Sequence, residues 1–126
     1  MKKITLIVCT LLAATILTSN MLKEKKILRH VVLFKFKDSS SPEDVKKIED
    51  AFRGLSKKLK TIKTFEWGTN VSPENLAQGF THCFLVGFAS DKDRDDYLPH
   101  PDHKAFIDIA GPHIDKVLVV DYWSKE

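Results

Sequence analysis

The chain has 126 residues, 43% hydrophobic and 29% charged, which suits one domain with one core and excludes a disordered, collagen-like or disulfide-built protein. Its formal charge is +3 at pH 7; setting aside Lys2 and Lys3 leaves 18 basic against 17 acidic side chains, too even a balance for a nucleic-acid surface. Cys9 and Cys83 are the two cysteines, and loss of the leading segment would leave Cys83 without an internal partner.

Met1, Lys2 and Lys3 precede an uncharged apolar run from Ile4 to Leu17, and the polar Thr18, Ser19 and Asn20 follow. This is the order of a secretory signal peptide, so residues 1–20 are expected to direct export to the periplasm or the medium and to be removed. As a helix the run would span about 21 Å, short of a hydrocarbon core of about 30 Å. No membrane association is expected after cleavage. Because no Ala-x-Ala closes the run, an uncleaved membrane anchor stands as the alternative. Residues 21–26 read as a charged linker and 27–126 as the folded domain.

From Leu28 to Lys37 the residues alternate as in a strand, with His30, Val32, Phe34 and Phe36 on one face and Val31, Leu33 and Lys35 on the other. Ser41 then offers an N-cap, Pro42 suits the first helical turn, and Glu43 and Asp44 complement the positive end of a helix. The inward stripe of that helix is Val45, Ile48, Phe52, Leu55 and Leu59, while Lys46, Lys47, Arg53, Lys57 and Lys58 avoid it and form a solvated face. A second strand is expected over Thr64 to Val71, a loop over Ser72 to Gly79, and a third strand over Phe80 to Ala89. In the third strand Phe80, His82, Phe84, Val86 and Phe88 share one face; Thr81, Cys83, Leu85 and Gly87 share the other.

Asp91 to Leu98 reads as a short acidic helix that stops at Pro99, and Pro101 opens another that runs to about Ile109, before Gly111 and Pro112. A last strand, Lys116 to Trp123, puts Val117 and Val119 on one face and Leu118, Val120 and Tyr122 on the other. The order βαββαβ predicts an α+β protein: a ferredoxin-like layer in which a four-stranded antiparallel sheet carries its helices on one side. That leaves Val31, Leu33, Cys83, Leu85, Leu118 and Val120 on an uncovered face, where each large aliphatic forgoes about 1.5–3 kcal/mol of burial. A second copy packed face to face would cover them, so the expected assembly is a homodimer forming an α/β barrel.

The stretches His30 to Lys37, Trp67-Gly68, Gly79-Phe80-Thr81-His82, Tyr97-Leu98-Pro99-His100-Pro101-Asp102-His103 and Asp121-Tyr122 resemble the stress-responsive A/B barrel (Dabb) family. The resemblance covers residues 28–124 and includes a member that closes a polyketide ring by an aldol reaction. It implies Tyr97 and His103 as the catalytic pair, with His30, His82 and His100 matching further histidines. An aldol closure needs a base and a donor for the developing oxyanion. An imidazole, with a pKa of about 6.5, suits the first role and a phenol, of about 10, suits the second; no cofactor and no metal is called for. The pocket is expected between the sheet and the broken helical layer, lined by Val32, Phe34, Ile48, Phe52, Phe84, Val86, Leu98, Phe106, Ile107, Ile114, Val117 and Val119. Its occupant would be a small apolar or aromatic molecule.

The residues leave other readings open. Tyr97 and His103 could instead tie the broken helices to the sheet by hydrogen bonds, and His30 and His82 could be satisfied strand histidines. His100 and His103, three apart, are too few ligands for a metal site. Cys83 reads as a small, buried, barrel-facing residue. The function is therefore either an exported binding or structural module or an enzyme of lyase, cyclase or isomerase type.

Overall fold

A computed structural model describes residues 25–125. The expected signal segment, 1–20, and most of the linker lie outside the described residues. Strands β1 (Leu28–Phe36), β2 (Ile62–Thr69), β3 (His82–Phe88) and β4 (Ile114–Trp123) alternate with helices α1 (Pro42–Lys58), α2 (Asp91–Tyr97) and α3 (Pro101–Ala110), and a short 3-10 turn (Gly111–His113) leads into β4. The strand order is β2-β3-β1-β4, with every pairing antiparallel, so β2 and β4 are the edges. This is the ferredoxin-like layer that the element order predicts.

Local chemistry accounts for where the elements stop and start. Ser41 and Asp44 form a capping box at the start of α1: the Ser41 hydroxyl accepts from the Asp44 N–H at 3.1 Å, and the Asp44 carboxylate accepts from the Ser41 N–H at 3.1 Å. Burial outweighs any propensity argument for this helix, because Ile48, Phe52 and Leu55 are all but inaccessible while the lysines stay in water. At Gly87 a Cβ atom would collide with the Thr64 hydroxyl of β2 and crowd Ile27, so any larger residue there would force these side chains to move. Three strands begin elsewhere than the alternation predicts, β3 among them, which opens at His82 rather than Phe80. β2 opens at Ile62, whose side chain is buried under α1, and β4 opens at Ile114, straight from the 3-10 turn.

The inner face of the sheet holds the core: Leu28, Val32, Phe34, Phe84, Val86 and Phe88 pack against Ile48, Phe52, Leu55, Phe106 and Ala110 from the helices. On the other face register aligns Leu85, Val31 and Val120 in one row and Cys83, Leu33 and Leu118 in the next. In the single chain this face is open, with Leu118, Val120 and Tyr122 45–48% exposed. A closed barrel therefore needs a second chain. Cys83 is exposed here rather than buried; desolvation, reinforced by the Glu66 carboxylate, still pushes its thiol up, away from reactivity.

Candidate active site

The helical layer covers the sheet unequally. Beneath α1 the interior is solid: the Phe52 and Phe84 rings stack at 4.4 Å, Trp67 stacks on Phe84 at 5.6 Å, and Ile48, Phe84 and Val86 have no exposed surface. Beneath α2 and α3 it is hollow. A cavity of about 580 Å³ lies between those helices and strands β1 and β4, within the size range of small-molecule sites. The chain breaks at Leu98–His100 because Pro101 restarts the helix, and His100 becomes the N-cap of α3, its Nδ1 accepting from the Asp102 N–H at 3.1 Å.

One end of the cavity is polar. Tyr97, at the C-terminal end of α2, is 1% exposed, and its hydroxyl has no hydrogen-bond partner among the described residues. A buried hydroxyl without a partner is uncommon and costs about 1–3 kcal/mol. Burial pushes the Tyr97 phenol far above its ordinary value, so it remains a proton donor at any physiological pH. The ring lies between two imidazoles, with centroids 4.3 Å from His103 and 5.9 Å from His30.

Both imidazoles are anchored through Nδ1. His103 Nδ1 is 2.9 Å from the Leu98 carbonyl oxygen, which can only accept, so the proton sits on Nδ1 and Nε2 keeps its lone pair. Burial, opposed by that carbonyl and assisted by the charges of His30 and His100, holds His103 below its ordinary value and hence neutral near pH 7. His30, 5% exposed, places Nδ1 2.6 Å from Asp121 Oδ1, and the carboxylate likewise fixes the proton on Nδ1. Asp121 Oδ2 in turn accepts from Arg94 Nη1 at 3.2 Å.

Of the residues read from the sequence, Tyr97, His103, His30, Val32, Phe34, Phe52, Leu98, Phe106, Ile107, Ile114, Val117 and Val119 all line this cavity. Five stand apart from it. Ile48, Phe84 and Val86 share the correct face but lie in the solid half under α1. His82 is also in that half, with Nε2 2.9 Å from Glu49 Oε1 and Nδ1 2.8 Å from Thr81 Oγ1, and both its nitrogens are engaged. His100 is occupied in capping α3 and does not join His103 in a ligand pair. Sequence reading missed Asp121, Asp115, Ala110 and Gly111 as lining residues, and Arg94 behind Asp121. A signal existed for Asp121: it follows Val117 and Val119 at period two on the inward face, where a carboxylate is out of place unless partnered.

Fold and site define a ferredoxin-like α+β protein with one apolar hollow that ends in a phenol and two imidazoles. The chain belongs to the Stress responsive A/B Barrel Domain (Dabb) family, whose profile matches residues 28–124. It is 41% identical over 95 residues to the stress-response A/B barrel domain-containing protein HS1 of Arabidopsis thaliana, covering 75% of this chain and 87% of that protein. It is 30% identical over 99 residues to olivetolic acid cyclase of Cannabis sativa, covering 79% of this chain and 98% of the cyclase. The solved structure of hydroxynitrile lyase from Passiflora edulis matches with a TM-score of 0.76 at 28% identity, over 81% of this chain and 96% of the lyase. A protein of unknown function from Bacteroides fragilis, described as dimeric with a ferredoxin-like fold, matches with a TM-score of 0.62 at 26% identity, over 76% and 94% of the two chains.

Proposed function

We propose that this protein is a homodimer in which each cavity binds a small, mostly apolar or aromatic molecule bearing a carbonyl or hydroxyl oxygen, and performs cofactor-free acid–base chemistry of lyase or cyclase type on it. The observation that carries this reading is the buried Tyr97 hydroxyl, which has no hydrogen-bond partner among the described residues and whose ring stands 4.3 Å from that of His103 and 5.9 Å from that of His30 in the cavity wall. If Tyr97 served only to tie α2 to the sheet, its hydroxyl would be bonded there. In the proposed reaction His103 Nε2 takes a proton from the substrate, while the Tyr97 O–H donates to the oxygen on which negative charge develops. A neutral imidazole and a protonated phenol are the states these roles require, and burial favours both. Support also comes from two similar proteins named as a cyclase and a lyase.

The dimer reading rests on the uncovered outer face and on dimeric relatives of the same fold. Export by residues 1–20 is part of the proposal, and N-terminal sequencing of the protein from its own host tests it: an intact Met1 on soluble protein overturns it.

The decisive experiment titrates small aromatic aldehydes and ketones into wild-type protein and Tyr97→Phe by calorimetry. Loss of the donor is expected to weaken binding at least about fivefold, the effect of about 1 kcal/mol for one hydrogen bond. Equal affinity in the two proteins removes the phenol from the site. Should a bound compound turn over, His103→Ala is expected to abolish turnover and keep the dimer; binding without turnover in wild type leaves a ligand-carrying module, the reading favoured by the apolar lining alone.

A further inference from the structure

We infer that Arg94 is a positioning residue: it holds the Asp121–His30 pair in the orientation the cavity uses and fastens helix α2, and with it Tyr97, to strand β4. The inference rests on the acid–base reading above. Asp121 divides its oxygens between two partners, with Oδ1 accepting from His30 Nδ1 at 2.6 Å and Oδ2 from Arg94 Nη1 at 3.2 Å. Arg94 is itself braced on its own helix, because Nε and Nη2 both donate to Asp95 Oδ1 at 3.0 Å and Asp91 lies 3.7 Å away. A planar guanidinium can point donors in two directions at once, which a lysine ammonium on a flexible stem does less well.

The placement of these groups gives the bridge its consequence. Asp121 stands on an edge strand, with no further strand beyond it, and is a quarter exposed. Arg94 precedes Tyr97 by three residues, so the two occupy one side of α2 a turn apart. Tyr97 is the only buried residue of that seven-residue helix. One helical turn thus sends a phenol into the cavity and a cation to the carboxylate on the cavity wall. Without the cation the Asp121 carboxylate is free to rotate toward other donors. Rotated so, the carboxylate no longer holds the His30 imidazole that lines the same cavity as Tyr97. Arg94 therefore keeps His30 anchored through Nδ1.

Nuclear magnetic resonance of protein labelled with ¹⁵N in histidine tests this without any ligand. Wild type is expected to show a slowly exchanging, far-downfield Nδ1 proton from His30. Arg94→Gln is expected to broaden or abolish it while the His82 ring signals stay in place, and Arg94→Lys to restore part of it. Wild-type His30 signals in Arg94→Gln overturn the inference, as does an equal change at His82, which would mean general loosening. Should Arg94→Gln fail to fold, Asp95→Ala at an exposed position decides: it removes the acceptor that braces Arg94 and is expected to broaden the His30 proton, and an unchanged signal overturns the inference. Failure here leaves the calorimetric result for Tyr97 standing, and failure there leaves this one readable.

Discussion

Two histidines on the inward face of one sheet show how differently its halves are used. His82, under α1, has a carboxylate on one nitrogen, a hydroxyl on the other and Trp67 stacked parallel at 6.1 Å. His30, under the broken layer, has a carboxylate on one nitrogen and lines the cavity. The cause lies in the covering elements: a 17-residue amphipathic helix fills its half, whereas helices of 7 and 10 residues separated by Pro99 leave theirs hollow. The same residue type is packed solid in one half and lines a cavity in the other, so residue identity and facing alone do not define a site.

Core truncation is the strongest test of the contrast. Phe84→Ala in the solid half is expected to cost about 3–5 kcal/mol in chemical denaturation, and Ile107→Ala on the cavity lip, already 48% exposed, less than about 1 kcal/mol. Equal losses would mean the hollow is not a hollow in solution. Next in size is the outer face: Leu33→Lys is expected to convert dimer to monomer in sedimentation velocity, and an unchanged dimer moves the interface elsewhere. His82→Ala strands Glu49 and Thr81 and should cost about 1–3 kcal/mol, whereas Tyr97→Phe removes an unpaired hydroxyl and should cost almost nothing or stabilise slightly. A large loss on Tyr97→Phe would reveal a partner for the phenol.

The smallest expected effect concerns pH. Burial holds folded His103 below its ordinary value of 6.5, so the unfolded chain binds a proton more readily than the folded one. Its contribution to stability is complete above about pH 6.5 and is lost as pH falls through the lower folded value. Wild type should therefore lose more stability than His103→Gln between about pH 7.5 and 5, as read from denaturation midpoints. A reversed difference would show that His103 is stabilised as the cation. For the proposed chemistry the same direction places the acid limb of any pH–rate profile below the usual imidazole range.

Much of this architecture was legible in the sequence because periodicity encodes facing. Alternation in β1, β3 and β4 sorted inward from outward side chains, and Ser41, Pro42 and Pro101 marked helix starts through capping chemistry that is local in the chain. Depth was not legible. Ile48, Phe84 and Val86 have the same facing as Val32 and Phe34, and only the helix lying above decides which of them meet a cavity. Nor was the Asp121–His30–Arg94 chain, since its first two members are 91 positions apart and meet through strand register. An inward-facing charge in an apolar alternation was the available clue, and it was read only as part of a family motif.

The unpartnered Tyr97 hydroxyl also has a consequence for selectivity. A hydrocarbon that fills the hollow as well as any other guest leaves that donor dry and unsatisfied, while a molecule with an acceptor at the right end relieves it. The difference of about 1–3 kcal/mol corresponds to roughly 5- to 150-fold in affinity. On the proposed function, shape would admit guests to the apolar hollow on size alone, and the phenol would sort them by whether they bring an oxygen.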